Sequence, residues 1–160
     1  MSEANINGVV QIGILVRNAD EAVRQYARLL GITDWNINHV DTENGIGQNF
    51  RIAKNDVAIK AKIAWTTIGG IELELIEPQD ATSIYAEHLE SHGPGVHHVM
   101  FGTGDYGGTV AALDGCGVER ILSGELQSTR FQLFDTRDAL GLISEFAEGD
   151  ALVPDESLKP

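Results

Sequence analysis

Residues 8–16 read GVVQIGILV, and residues 95–103 read GVHHVMFGT. In the first stretch Val10, Ile12, Ile14 and Val16 alternate with Val9, Gln11, Gly13 and Leu15, the period of two that marks a β-strand. The second of these rows is the less apolar and sets a polar amide beside a glycine. Laid over each other, the two stretches match Gly8 with Gly95, Val9 with Val96, Ile12 with Val99, Ile14 with Phe101 and Gln11 with His98. Self-similarity of this kind signals a repeated supersecondary unit.

The repeat extends in both directions. After the first stretch, Asn18 and Glu21 form a capping pair for a helix over 19–30, with Val23, Tyr26, Ala27 and Leu30 on one face and Gly31 at its end. Val23 and Tyr26 fall over Val110 and Leu113 of the second copy. Further on, GIELELIE (70–77) matches GLISEFAE (141–148), with Glu74 over Glu145 and Glu77 over Glu148. Between these ends the first copy predicts strands at about 47–53 and 57–66, turning at Lys54-Asn55-Asp56 and Thr67-Ile68-Gly69-Gly70. Each copy therefore reads as strand, helix, then three strands.

The expected fold is α+β: two βαβββ modules forming a cupped eight-stranded mixed sheet. The first module spans 8–78. A linker, 79–95, carries a short helix with Thr82 as its cap candidate. The second module spans 96–148, and a weakly apolar tail, 149–160, is expected to fray.

In each copy one polar residue of the first strand and one of the last oppose the regular apolar face. Gln11 opposes Ile12 and Ile14, His98 opposes Val99 and Phe101, Glu74 opposes Leu73 and Leu75, and Glu145 opposes Leu142 and Phe146. If the four strands curl around one cavity, these groups converge. Two carboxylates brought together repel and lose hydration, and a divalent cation removes that penalty. Oxygen ligands with one imidazole suit zinc, nickel, cobalt, manganese or iron. Gln11, Glu74, His98 and Glu145 are therefore the candidate metal ligands. Glu72, Glu77 and Glu148 read as solvated surface acids, and His97, on the face opposite His98, as a packed or hydrogen-bonded histidine. His39, His88 and His92 fall in apparent loops or on a helix surface.

Composition narrows the function classes. The 160 residues are 42% apolar, enough for a core, and carry a formal net charge of -13. So acidic a surface repels phosphate backbones and anionic lipid, so neither nucleic acid nor a membrane surface is an expected partner. Cys116 is the one cysteine, which precludes an intrachain disulfide and fits a reducing compartment. The start, MSEANING, has neither a basic nor an apolar stretch, and a cytoplasmic location is expected.

The stretches QIGILVRNADEAVRQYARLLGI, IELELIEPQD, GPGVHHVMF and FDTRDALGLISEF resemble the vicinal-oxygen-chelate superfamily, which includes glyoxalase I, methylmalonyl-CoA epimerase, extradiol dioxygenases and bleomycin-resistance proteins. The resemblance covers roughly 8–148. It implies paired βαβββ modules around one divalent ion (Zn, Ni, Co or Mn), ligands at Gln11, Glu74, His98 and Glu145, and a homodimer. The ligand set is similar to that of zinc-type glyoxalase I, whereas ELIEPQD followed by GPGVHHVMF is more similar to methylmalonyl-CoA epimerase. The epimerase pattern has His where this chain has Gln11. It also places a catalytic Glu on a middle strand, where VAIKAKIAW offers Lys60 and Lys62.

Three functions follow as expectations. The first is a lyase or isomerase that abstracts a proton next to a metal-bound carbonyl of a small carbonyl or thioester substrate. Glu145 is then the base, Glu74 its symmetric partner, and Arg51, Lys60, Lys62 or Arg130 hold an anionic tail. The second is a metal-free module that sequesters a flat ligand between Trp35, Trp65, Phe131 and Phe134. The third, an iron dioxygenase, normally wants two histidines and one carboxylate, which Gln11 disfavours.

Overall fold

The structure is a computed structural model and describes residues 3–160. β1 (Ile6–Leu15) leads into α1 (Ala19–Leu30), β2 (Trp35–Asp41), a 3-10 turn at Thr42–Asn44, β3 (Gln48–Ile52), β4 (Asn55–Asp56), β5 (Lys60–Ile68) and β6 (Ile71–Pro78). α2 (Ile84–His92) connects to β7 (Gly95–Thr103), α3 (Tyr106–Gly115), β8 (Arg120–Leu126), β9 (Thr129–Thr136), α4 (Arg137–Leu140), β10 (Leu142–Glu148) and β11 (Glu156–Leu158).

These strands form one curved, unclosed mixed sheet in the order β11-β2-β5-β6-β1-β7-β10-β9-β8-β3-β4. β1 and β7 pair antiparallel at its centre, flanked by parallel partners β6 and β10. Outward from that junction each half reads first strand, last strand, then the two between in reverse. Among the described residues the sheet has eleven strands where eight were expected, and the extra ones sit at its edges.

Helices α1 and α3 pack on the convex side, while α2 sets Tyr85 and Leu89 into the concave core. Asn18 Oδ1 accepts from the Glu21 amide at 2.8 Å, and Gly31 ends α1 in the left-handed region at φ 71°. Ala19 and Val23 of α1 pack on Trp35, Ile37, Ala64 and Leu75, each large side chain contributing roughly 1.5–3 kcal/mol by burial. Asp105 caps α3, and Tyr106 of that helix packs with Phe134 and Phe146. Ser83, not Thr82, caps α2, accepting from the Ala86 amide; the amides of Thr82 and of Ser83 itself donate to Asp80. Among the described residues no helix is long and apolar enough to cross a membrane.

The expected strand order of the first half differs from the observed one. Trp35–Asp41, WNINHVD, is a strand that polar content disguised. Its Asn38 is 1% exposed and is fully bonded, accepting from Trp65 Nε1 at 2.7 Å and donating to the Val153 carbonyl at 2.8 Å. Gln48–Ile52 is a strand as expected, but it joins the other half, pairing with β8 at Gln48↔Glu125 and Arg51↔Ser123. Asn55 and Asp56 are not the turn: they fold back on Ile52 and Arg51 as β4.

The tail is ordered rather than frayed. It leaves β10, and Gln127 Nε2 and Asn38 Nδ2, from opposite halves, both donate to the Val153 carbonyl at 2.8 Å. Glu156–Leu158 then pairs with β2. The concave side holds the second core, in which Leu15, Val40, Ile63 and Ile76 of the first half meet Leu122, Leu126, Leu133 and Ile143 of the second.

Candidate metal centre

The four central strands carry the candidate ligands: Glu74 on β6, Gln11 on β1, His98 on β7 and Glu145 on β10. Register places Gly13 between Glu74 and His98, and Gln11 between Glu72 and Met100. The missing β-carbon of Gly13 is what lets the groups meet, because a Cβ there would stand 2.0 Å from His98 Cε1. The imidazole lies over the glycine and reaches across β1 to β6.

His98 Nε2 is the hub. It lies 2.8 Å from Glu145 Oε2, 3.3 Å from Gln11 Oε1 and 3.5 Å from Glu74 Oε2. His98, Gln11 and Glu145 are all buried. The row Gln11, Gly13 and Leu15, the less apolar face of the strand, is the buried concave one, while Val10 is 38% exposed. Burial alone would push the His98 imidazole down; the Glu145 carboxylate, assisted by Glu74, outweighs it and lifts the group to about 10. Burial raises the Glu145 carboxyl, against the opposing pull of His98.

Glu72 differs from its sequence reading, and His97 is both packed and hydrogen-bonded. Glu72 is not a solvated acid: its Oε1 accepts from Gln11 Nε2 at 2.6 Å, so it turns the amide oxygen of Gln11 toward His98. Burial, with Glu74 alongside, pushes the Glu72 carboxyl up to about 7. Glu72 shares a strand face with Glu74, but its contact with Gln11 is set by the register of β6 on β1. His97 does not simply face away from His98. Opposite Gly13 and Ile14, β7 presents His98 and Val96, leaving His97 as the bulged residue. The bulge brings the two Nδ1 atoms to 3.1 Å. His97 also packs edge-on against Tyr85 and His88, and burial, with His98 beside it, pushes it down to about 2. Glu77 accepts from the Ala19 amide at 2.7 Å and so helps cap α1, while Glu148 pairs with Arg130.

The centre forms the floor of a cavity of about 240 Å³. Gln11, Glu72, Glu74 and Glu145 share its lining with Phe50, Ile63, Met100, Leu126 and Phe131, and tail residues Gly149–Leu152 form part of its wall. Of the four aromatics considered for a flat ligand, Phe131 lines it; Trp35 and Phe134 are buried in the cores beneath the helices. Arg51, Lys60, Lys62 and Arg130 lie outside the lining, each against an acid: Asp56, Asp41, Asp20 and Glu148.

Among the described residues no three histidine, cysteine or acidic side chains make a ready-made ligand shell; here the donors touch His98 directly. The donor set nonetheless fits a small divalent ion. Neighbouring ligands on bonds of about 2.1 Å stand roughly 3 Å apart, the order of the separations around Nε2, and the carboxylates of buried Glu145 and part-buried Glu74 suit a cation.

Solved structures share this architecture. A methylmalonyl-CoA epimerase from Mycobacterium tuberculosis aligns with TM-score 0.63 and 18% identity over 94% of this chain and 93% of its own. A hypothetical protein from Bacillus halodurans C-125 gives 0.66 and 21%, over 92% and 97%. A methylmalonyl-CoA epimerase variant from Streptomyces coelicolor, in complex with 2-nitronate-propionyl-CoA, gives 0.63 and 22%, over 92% and 100%. No curated protein matches the chain. The family model of the glyoxalase/bleomycin resistance protein/dioxygenase superfamily matches residues 10–131. With the model spanning most of the chain and the paired halves meeting at β1 and β7, this protein belongs to the glyoxalase/bleomycin resistance protein/dioxygenase superfamily.

Proposed function

We propose that this chain is a metal-dependent lyase or isomerase that removes a proton from the carbon next to a carbonyl. The observation that carries the reading is the meeting of an amide, an imidazole and two carboxylates at the floor of a mostly apolar cavity. Gln11, Glu74, His98 and Glu145 would hold the ion. A divalent ion there supplies a Lewis acid that polarises the carbonyl and stabilises the charge left by proton loss. Glu145 takes the proton, and Glu74, across the same floor, returns one from the other side. Glu72 holds Gln11, and His97 holds the second nitrogen of His98. The apolar walls exclude bulk water, which strengthens each electrostatic contact at the floor.

Elemental analysis of protein purified without chelator, followed by solvent-deuterium exchange over α-hydroxy ketones, thiohemiacetals and thioesters, tests this. One equivalent of zinc, nickel, cobalt or manganese and exchange at the α-carbon are expected. A Glu145→Gln variant should lose about a hundredfold or more in exchange rate; full turnover in a variant that keeps its metal would remove the base assignment.

One observation favours a second reading. His98 is already bonded to Glu145 at 2.8 Å, so an imidazolium can balance the acids without an ion, as a metal-free binding protein would need. Absence of bound metal with tight ligand binding would select that reading.

A further inference from the structure

The cavity presents an unusual charge pattern for a family with anionic thioester ligands among its structural neighbours. Four acids line it, Glu72, Glu74, Glu145 and Asp150, and among the described residues no lysine, arginine or histidine joins the lining. Apart from Gln11 and Thr129, the remaining walls are mainly aliphatic and aromatic. Arg51, Lys60, Lys62 and Arg130, the basic residues nearest in sequence to the lining strands, are drawn off by Asp56, Asp41, Asp20 and Glu148.

We infer that the group entering this cavity is uncharged or cationic, with a short apolar body, and that carboxylates and phosphates are turned away. The inference rests on the proposed function for the ion but not for the chemistry. A divalent ion offsets Glu74 and Glu145 and leaves Glu72 and Asp150. Protonated or not, neither offers an anion a positive partner. The net charge of -13 has the same sign, so the field outside the mouth also opposes an approaching anion. At about 240 Å³ the space lies below the range of drug-sized pockets, so the body is small. An α-hydroxy ketone or a small amino ketone fits this description. A carboxylated acyl group does not, which sets this chain's substrate apart from a malonyl-type thioester.

The test uses three ligands of equal chain length: 1-hydroxy-2-butanone, 1-amino-2-butanone and 2-ketobutyrate. Each is titrated into metal-loaded and chelator-treated protein while the methyl resonances of Ile63, Met100 and Leu126 are followed. The neutral and cationic ligands are expected to shift these methyls at concentrations at least about tenfold lower than 2-ketobutyrate in the chelator-treated protein. With metal the margin should shrink, because the ion itself gives a carboxylate a positive partner. A Glu72→Gln, Asp150→Asn double variant should narrow the preference. Equal or tighter binding of 2-ketobutyrate to chelator-treated protein overturns the inference, as does the absence of any methyl shift at millimolar ligand. If selectivity holds but no ligand exchanges its α-proton, the proton-abstraction reading fails and this one stands. Exchange with 2-ketobutyrate in preference to the hydroxy ketone sinks this one alone.

Discussion

A β-carbon on residue 13 would stand 2.0 Å from the His98 ring, closer than any relaxed contact. Gly13→Ala should therefore eject the imidazole from its place between Glu74 and Glu145. Overpacking of this kind costs about 1–3 kcal/mol, readable by urea denaturation, and metal affinity should fall by at least tenfold in competition with a chromophoric chelator. A variant that retains wild-type affinity would separate Gly13 from the site. His97 poses a subtler case. Its Nδ1 lies 3.1 Å from Nδ1 of His98, the atom that must carry a proton whenever Nε2 acts as a ligand. Partners of this type typically carry 10–100-fold in metal affinity. His97→Phe keeps the packing on Tyr85 and removes the acceptor, so a loss of about that size is expected from the same competition. Unchanged affinity would make His97 a packing residue only.

At the scale of elements, β2 and the tail depend on each other through Asn38. Asn38→Leu preserves volume but leaves the Trp65 indole N–H without its partner and removes one donor from the Val153 carbonyl. A buried orphan of this kind costs about 1–3 kcal/mol, to be seen as a lower urea midpoint and as faster hydrogen exchange at the Val153 and Asp155 amides. Slower or unchanged exchange would disconnect Asn38 from the tail. This same pair marks where the sequence stopped being informative. β1, β7, β6, β10 and α1 were legible because each carries a period of two or a capped amphipathic stripe, and the repeat tied their ends together. The polar string of Trp35–Asp41 gave no such pattern, since Asn38 is buried on bonds to Trp65 and to the distant Val153, and the His39 amide is held by Asp155. β3 announced itself as a strand but not its partner, because edge pairing with β8 depends on how the two halves curve. At the centre, the convergence of Gln11, Glu74, His98 and Glu145 followed from strand position alone. The Glu72 contact needed the register of β6 on β1, and the His97 contact needed a bulge, neither of which a pattern of side chains encodes.

The whole molecule is built as a reciprocal exchange. The first half sends β3 and β4 to the edge of the second at β8, and the second returns β11 to the edge of the first at β2. The two halves also share the concave core. Neither half keeps its edges covered or its apolar face buried without the other, so urea should unfold the chain in one transition, with far-UV circular dichroism and amide signals from both halves giving the same midpoint. Two separated midpoints would show that the halves are independent.

The hydrogen bond between Trp65 and Asn38 has a spectroscopic corollary. Asn38 holds the indole with its oxygen and the tail with its nitrogen, so lifting the segment over Gly149–Leu152 to admit a guest strips Asn38 of its Val153 bond and opens the amide, with the indole beside it, to water. Trp35, sealed beneath α1, stays a constant background. The protein thus carries an intrinsic fluorophore on the latch of its own cavity, and a red shift of its emission would report the opening with no label attached.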